Sequence, residues 1–247
     1  MFGTIILDAY QKDEVTQIAD ALDDLCSPND NYGWSSAGIY SFWDYENKDV
    51  LYIGLASDLA NRFRQHNGLI PLRGGLKQNQ ITEYFLKHPE GKLGYSILVQ
   101  IDQPTVMRNR NTESDPESMD GIEEIKEIEG MLIEAYRRKN GCIPPWNEVG
   151  GSVYGQKNVS DHDADVVEAF CHPELVDRFP LMSRSSLREL SANPEYEAFE
   201  EVLHAARHML MTYGMGFRDS LATLTMCSSQ QIRDIERTNY LQKKLRV

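Results

Sequence analysis

The sequence predicts an α/β protein of the α+β kind, in which strand patterns are confined to about the first hundred residues. Residues 37–43 and 50–55 are rich in β-branched and aromatic side chains and flank a short polar stretch, which predicts a β-hairpin. Residues 121–140 carry apolar side chains at helical spacing, whereas 151–247 has helical patterns and no convincing strand. We therefore predict a mixed N-terminal part followed by a mainly helical C-terminal part.

The other elements follow from the same patterns and from turn and cap residues. In chain order we predict a strand at 2–7, a helix at 13–25, the hairpin, a helix from about residue 58 to 66, a basic loop at 68–80, a short helix at 81–87, a strand at 95–101, a polar insertion at 103–120, the helix at 121–140, and helices at 163–171, 185–191, 194–213 and 228–245. Gly150-Gly151-Ser152 is the predicted junction. The domains are then 1–34 (an N-terminal strand and helix extension), 35–150 and 151–247.

Composition excludes several classes of protein. At 247 residues with 41% apolar side chains, the chain can bury the core of one or two domains. No apolar run approaches the length of a membrane span, and the first ten residues lack the pattern of a secretory signal. The four cysteines are scattered without a Cys-x-x-Cys pair, which favours reduced thiols. We expect a cytoplasmic protein that does not act at a membrane.

Groups suited to proton transfer and phosphate binding cluster around the hairpin. Each predicted strand places a tyrosine near a glycine, in Gly38-Ile39-Tyr40 and in Tyr52-Ile53-Gly54. On the helix that follows, Arg62 and His66 are four residues apart and share a face. Taken singly, strand tyrosines are more often packing residues and a helical Arg or His is more often solvated. Their joint spacing favours a functional site.

An acidic residue interrupts the apolar stripe of the helix at 121–140. Glu129 lies four residues after Ile125 and three before Leu132, so it faces inward, where an unpaired carboxylate is costly and normally binds a metal or a cation. Glu134 is the competing carboxylate, but its helical neighbours predict a solvated face. Asn147, after the helix-ending prolines, could cap or tether the loop near Glu129.

Together these residues resemble the GIY-YIG nuclease family over about residues 35–150. The matching elements, in order and at the expected spacing, are Gly38-Ile39-Tyr40, Tyr52-Ile53-Gly54, Arg62, His66, Glu129 followed by Leu132-Ile133, and Pro145-Trp146-Asn147. The resemblance implies a small domain with a central three-stranded antiparallel sheet flanked by helices. It also implies phosphodiester hydrolysis with one divalent cation, and a catalytic set of Tyr40, Tyr52, Arg62, His66, Glu129 and Asn147.

The chemistry of these side chains fits that reaction. A tyrosine with a reference pKa of about 10 becomes a useful base only where positive charge stabilises its phenolate, so Arg62 and a metal on Glu129 would allow Tyr40 or Tyr52 to take a proton from water. Arg62 can also hold a phosphate through two parallel hydrogen bonds. A lone carboxylate suits Mg²⁺, with Mn²⁺ as the alternative, better than zinc.

The charge distribution predicts where DNA would bind. The chain has a formal net charge of −13, but residues 61–110 hold eight Lys or Arg against three Asp or Glu. Phosphate binding needs local positive charge, so this segment is the candidate DNA-facing surface, and a solvated scatter of charge is the alternative. The predicted DNA contacts are Arg64, Arg73, Lys77, Arg108 and Arg110. Basic residues near the C-terminus, such as Arg233 and Arg237, are interpreted as a solvated helix face, and no helix-turn-helix is assigned.

Three functions remain open from the sequence. The first is a Mg²⁺-dependent DNA endonuclease, which would need a homodimer or two successive events to cut both strands. The second is a non-catalytic nucleic-acid-binding module on the same scaffold, against which the intact set of site residues argues. The third is a partner-binding protein that acts through residues 151–247.

Overall fold

The computed structural model describes residues 2–26, 37–71, 75–100 and 116–247. Its strands are β1 (Phe2–Tyr10), β2 (Gly38–Asp44), β3 (Asp49–Ala56) and β4 (Leu93–Gln100). They form one antiparallel sheet in the order β1-β4-β2-β3, so β1 and β3 are its edge strands.

Ten α-helices accompany the sheet within the described residues. They are α1 (Val15–Cys26), α2 (Leu59–His66), α3 (Leu76–Lys87), α4 (Pro116–Asn140), α5 (Val153–Lys157), α6 (Asp163–Ala169), α7 (Leu187–Ala192), α8 (Pro194–Tyr213), α9 (Phe217–Leu224) and α10 (Ser229–Arg237). Short 3-10 segments lie at Lys12–Glu14, Pro173–Asp177 and Tyr240–Gln242. The mixed α/β class predicted from the sequence is confirmed.

The sheet has four strands, so the expectation of a three-stranded sheet is wrong in strand number. β1 pairs with β4 from Phe2 opposite Gln100 to Tyr10 opposite Leu93. All nine residues of β1 are buried, because helices cover both faces of the sheet. The N-terminal segment is therefore part of the sheet that carries the hairpin.

Helices lie on both faces of the sheet and leave β3 between two layers. The face with Tyr40, Phe42 and Tyr95 packs against apolar residues of α1, α2 and α3. The opposite face, which carries Ile39 and Ile53, packs against α4 and α6. Side chains from both layers can therefore meet at the outer edge of β3.

Two helices begin earlier than predicted. α3 begins at Leu76 rather than residue 81, because the glutamines and lysine after Gly75 favour helix when one face can pack. α4 begins at Pro116, so 116–120 belong to the helix rather than to the insertion, and proline is well suited to the first turn. The remainder of the predicted insertion, 103–115, lies outside the described residues.

The C-terminal part also differs from the prediction. The helix predicted at 228–245 ends at Arg237, and Asn239 has a left-handed φ of 54° that no helix can continue through. Helix α9 was not predicted. The predicted junction is packed rather than extended: a Cβ on Gly130 of α4 would lie 2.5 Å from the carbonyl oxygen of Ser152.

The helical part docks on the outer edge of β1. The Ile5 amide donates to the Leu181 carbonyl (2.8 Å), and the Ser183 amide donates to the Ile5 carbonyl (2.7 Å). Arg207, which is buried, donates to Glu200 (2.7 Å) and to the hydroxyl of Thr4 on β1 (3.0 Å). These contacts join the helical part to the sheet at the edge opposite β3.

Candidate active site

The two hairpin tyrosines lie on one face of the sheet and converge over a glycine. Tyr40 is opposite Gly54 and Phe42 is opposite Tyr52, so the tyrosines are diagonal neighbours with ring centroids 5.7 Å apart. A Cβ on Gly54 would lie 2.7 Å from the Tyr52 hydroxyl and 2.9 Å from the Tyr40 hydroxyl. Glycine is therefore required here if both hydroxyls are to occupy this position.

His66 reaches the same point from α2. The helix begins at Leu59 because the Asp58 carboxylate accepts a hydrogen bond from the Asn61 amide. One helical face then carries His66 into the layer under the sheet, where its Nε2 lies 2.7 Å from the Tyr40 hydroxyl. Burial, followed by the charges of Arg62 and Lys77, lowers the pKa of His66 to about 4. The imidazole is therefore neutral near pH 7.

The two tyrosines differ in how readily they ionise. Burial raises the pKa of Tyr40 well above its ordinary value of 10, and its contact with Tyr52 raises it further. Burial also raises the pKa of Tyr52, but the hydrogen-bonding contact with Tyr40 and the charge of Arg62 lower it. Tyr52 is also more exposed than Tyr40. Of the pair, Tyr52 is the hydroxyl better placed to meet solvent or substrate.

Arg62 is a partly exposed cation beside this cluster. Its charge acts on Tyr40, Tyr52 and His66, so the guanidinium is within electrostatic reach of all three. Within the described residues no carboxylate forms an ion pair with it. The guanidinium fork is therefore available to an anion, for which its paired donors are suited.

Glu129 approaches from the opposite layer, on α4. Burial raises the pKa of its carboxyl to about 7, and a hydrogen bond from the Leu55 backbone partly opposes that rise. Its negative charge raises the pKa of Tyr52, so the carboxylate is within electrostatic reach of the tyrosine. Within the described residues this half-buried carboxylate has one backbone donor and forms no ion pair.

Glu134, the competing carboxylate, is not on a solvated face. It is only 6% exposed, and its oxygens accept two hydrogen bonds from Arg137 (2.7 and 2.8 Å) and one from Arg138 (3.1 Å). The two long arginine side chains fold over the carboxylate and exclude water. The hydrogen bonds from Arg137 chiefly hold the pKa of Glu134 below its ordinary value. Two guanidinium partners leave this carboxylate unsuited to a metal ion.

The outer edge of β3 is completed by residues of the predicted site. Asn147 pairs with the backbone of Ile53 in both directions: its Oδ1 accepts from the amide (3.0 Å) and its Nδ2 donates to the carbonyl (2.7 Å). The Trp146 amide donates to the Leu51 carbonyl (2.8 Å). Asn147 thus tethers the segment after α4 to the strand that carries Tyr52, and its role is to position the site.

Lys77 lies in the site rather than on a separate basic loop. Its Nζ donates to the Trp146 carbonyl (2.7 Å) and lies 4.8 Å from the centroid of the Tyr52 ring. Burial lowers the pKa of Lys77, an effect that the charge of Glu148 opposes. The sequence pattern is consistent with this placement, because Lys77, Ile81 and Tyr84 share one helical face once α3 is extended to Leu76.

Glu148, unlike Lys77, is a residue near the site that the sequence did not single out. Its side chain is exposed, and its charge raises the pKa of Tyr52 in the same direction as Glu129. Glu148 directly follows Asn147 in the chain and therefore lies at the edge of β3. The site therefore has one half-buried and one exposed carboxylate near Tyr52.

The other predicted DNA contacts are not assembled by the described structure. Arg64 donates to Asp23 of α1 (2.8 Å), and this hydrogen bond chiefly raises its pKa, so its charge is partly neutralised. Arg73, Arg108 and Arg110 lie outside the described residues. Of the two that lie within the described residues, Arg64 and Lys77, Lys77 lies beside the tyrosines.

A divalent cation fits this arrangement only through few protein ligands. Within the described ranges, no group of three or more His, Cys, Asp or Glu side chains is arranged to hold a metal ion. Of the two carboxylates near Tyr52, Glu129 is the half-buried one and forms no ion pair within the described residues, and a hard cation that keeps most of its water ligands can bind to such a group. The donor set is therefore compatible with Mg²⁺ or Mn²⁺ and unlike a structural zinc site.

Comparison of the chain with protein-family models, with curated proteins and with solved structures gives no match. Among the helices that the structure describes, none has both the length and the apolar character needed to cross a lipid bilayer. The function is therefore inferred from the mixed sheet-and-helix fold and from the cluster of tyrosine, histidine, arginine and glutamate side chains at β3.

Proposed function

We propose that the protein is a metal-dependent DNA endonuclease of the GIY-YIG type, with its active site at the outer edge of β3. The observation that carries the proposal is the convergence of Tyr40, Tyr52 and His66 at Gly54, with Arg62 beside them and in no ion pair with any residue that the structure describes. These groups come from two strands and a helix, and packing alone does not require a cation without a partner there.

Arg62 would bind the scissile phosphate. Its fork can hold two non-bridging oxygens, and its contact strengthens as negative charge develops on the phosphate during attack. Lys77 supplies a second positive charge against the Tyr52 ring. Both cations favour the phenolate form of Tyr52, which opposes the effect of burial.

The hydroxyls define a path for the proton of the attacking water. Arg62 favours the phenolate of Tyr52, and that phenolate takes a proton from the attacking water to become the neutral phenol. The hydroxide formed attacks phosphorus as the bond to the departing oxygen breaks. Tyr40 donates a hydrogen bond to the phenolate, and Nε2 of neutral His66, 2.7 Å from the Tyr40 hydroxyl, orients Tyr40.

Glu129 would hold the divalent cation, with Mg²⁺ or Mn²⁺ as the ion. When bound, that ion would stabilise negative charge on the phosphate and on the departing oxygen. Asn147 holds the segment after α4 against β3, and this keeps Tyr52 and Glu129 at a fixed separation.

A nicking assay on supercoiled plasmid tests the proposal. We expect conversion to the open circle with Mg²⁺ and none with EDTA. Binding of DNA without nicking under any divalent cation would support the non-catalytic module instead. Absence of both binding and nicking at low salt would support a protein that acts through its helical C-terminal part.

A further inference from the structure

The C-terminal helices α8, α9 and α10 share a small apolar core of their own. It contains Phe199, Val202, Leu203 and Ala206 of α8, Leu224 of α9, and Ile232 and Ile235 of α10, with Tyr240 after them. Phe217 and Leu221 of α9 pack against it. The core fixes α9 and α10 on α8, which is itself docked on β1.

Helices α9 and α10 are joined by a short turn. α9 has eight residues and ends at Leu224, and α10 has nine and begins at Ser229, so the four residues 225–228 connect them. The Cys227 and Ser228 amides donate to the Leu224 carbonyl (3.0 and 2.8 Å), which closes the turn. A connection of this length is that of the helix-turn-helix unit, whose second helix can enter a DNA major groove.

The outer face of α10 carries side chains of the types that can contact base edges in a major groove. Ile232 and Ile235 are its buried residues, whereas Gln230, Gln231 and Arg233 are exposed in its first turns. Arg233 donates to Gln230 (2.9 Å), and Gln230 donates to Asp234 (2.8 Å), so hydrogen bonds link these side chains in one row. Glutamine matches the major-groove edge of adenine, and arginine matches that of guanine.

The local charge also suits DNA. Residues 214–247 hold six Lys or Arg against three Asp or Glu, in a chain with a formal net charge of −13. Arg218 in the first turn of α9 and Lys244 after α10 are exposed and have no ion-pair partner within the described residues. Because Arg237 is paired with Asp234 and Lys243 with Glu189, Arg218 and Lys244 are the cations better placed to neutralise a phosphate backbone. The local excess of positive charge was interpreted from the sequence as a solvated face because the helix boundaries were wrong.

We propose that α9 and α10 form a helix-turn-helix that places α10 in the major groove of duplex DNA and gives the protein a sequence preference. This inference deepens the proposed function, since it names how the DNA substrate is recognised, but binding by α10 does not require cleavage. Gln231, which is exposed and has no hydrogen bond within the described residues, would contact a base edge directly.

The test uses the full-length protein in EDTA, so that cleavage plays no part. Selection from a random duplex library should enrich one sequence, and the affinities of variants for it are then measured. We expect Gln231→Ala to lose discrimination at one base position by roughly 5- to 150-fold, with little change in binding to unrelated duplex. Arg218→Gln should weaken binding to every duplex and reduce the salt slope by about one.

The matched control is Gln17→Ala, which removes an exposed glutamine from α1 and should change neither quantity. Equal melting temperatures of the variants exclude misfolding as the cause. Absence of any enriched sequence, or an enriched sequence whose binding is unaffected by Gln231→Ala and Arg233→Ala, would overturn the inference. Failure of the proposed nuclease would appear separately, as sequence-specific binding without nicking in Mg²⁺.

Discussion

Gly54 shows how one residue determines the geometry of the candidate site. Any side chain at this position would occupy the space where the Tyr40 and Tyr52 hydroxyls meet, at 2.6–2.9 Å from their atoms. The sequence predicted a tyrosine in each of two neighbouring strands, with Gly54 in the second. Strand alternation alone could not show whether both tyrosines lie on one face of the sheet. The diagonal register, with Tyr40 opposite Gly54, supplies that information.

Arg62 should need its guanidinium and not only its charge. We expect Arg62→Lys to be nearly as damaging to single-turnover cleavage as Arg62→Ala, by roughly 100-fold or more, because a point charge cannot replace two parallel hydrogen bonds in the transition state. Affinity for DNA should fall less than the rate. A lysine variant within a few-fold of the parent would reduce Arg62 to a general electrostatic role.

Lys77 should affect chemistry more than affinity. Because its ammonium lies against Tyr52 and helps to lower the pKa of His66, Lys77→Gln should lower the saturated cleavage rate by about tenfold or more and raise the His66 pKa measured by NMR. Lys87→Gln is the matched control on α3, since Lys87 is exposed and only weakly paired with Glu83 (3.9 Å). Equal effects of the two variants would mean that Lys77 takes no part in the chemistry and at most contacts DNA away from the active site.

The buried carboxyl of Glu129 should make stability depend on pH in the absence of metal. Its pKa is about 7 in the folded protein against 4.5 for the ordinary group, so the folded state holds the proton more tightly. The stabilisation is complete below about pH 4.5 and is lost as pH rises through 7. Glu129→Gln should therefore melt higher than the parent at pH 8 in EDTA, and the difference should disappear near pH 4.5.

Added Mg²⁺ provides the second half of that measurement. At pH 8 it should raise the melting temperature of the parent and leave that of Glu129→Gln unchanged, since only the carboxylate can hold the ion. Parallel melting curves for the two proteins at every pH, with and without Mg²⁺, would show that burial of this carboxyl has little energetic consequence.

At the scale of elements, local signals determined which predictions succeeded. α8 was predicted at both ends because Asn193 caps it, Pro194 opens it and Gly214 closes it in a left-handed conformation. The start of α3 was missed because Gly75 and a polar run resemble a loop until the packing of Ile81 and Tyr84 is known. α9 was missed because the turn at 225–228 lacks glycine and proline, and the end of α10 was missed because Asn239, rather than a glycine, adopts the left-handed conformation after it.

The fourth strand was the largest difference from the expected sheet. The sequence predicted a strand at 2–7, but pairing with β4 joins residues about ninety positions apart, and no local pattern specifies such a partner. The same limit applied to Asn147, whose contact with Ile53 was anticipated only as a tether of unspecified position. The chemical groups could be named from the sequence, whereas the edge at which they meet required the fold.

Asn147 should matter because it satisfies the free edge of β3. Asn147→Ala removes both hydrogen bonds to Ile53, and we expect a loss of about 1–3 kcal/mol in the free energy of unfolding, together with lower cleavage activity. Asn158→Ala serves as the control, because that side chain makes one surface hydrogen bond to Glu127. Denaturant melts of both variants measure the difference, and an Asn147→Ala protein as stable as the control would refute the tether.

At the scale of the whole molecule, the helical part is joined to the sheet by buried polar contacts. Arg188 donates to Asp8 of β1, which is fully buried, through its backbone amide (2.9 Å) and its guanidinium (2.8 Å). Arg207 and Glu200 form a second buried pair beside Thr4. Separation of the two parts would leave such charges unpaired, which is costly. The proposed helix-turn-helix is therefore carried on the β1 side of the same body whose β3 edge bears the candidate active site.

The most direct test of the central claim compares Glu129→Ala with Glu134→Ala in single-turnover nicking of plasmid with Mg²⁺, alongside DNA binding in EDTA. We expect Glu129→Ala to bind DNA as the parent does and to lose cleavage, because it removes the carboxylate that would hold the metal. Glu134→Ala should retain cleavage in its folded fraction, since its carboxylate serves Arg137 and Arg138. Full cleavage by Glu129→Ala, with its loss in Glu134→Ala, would contradict the account.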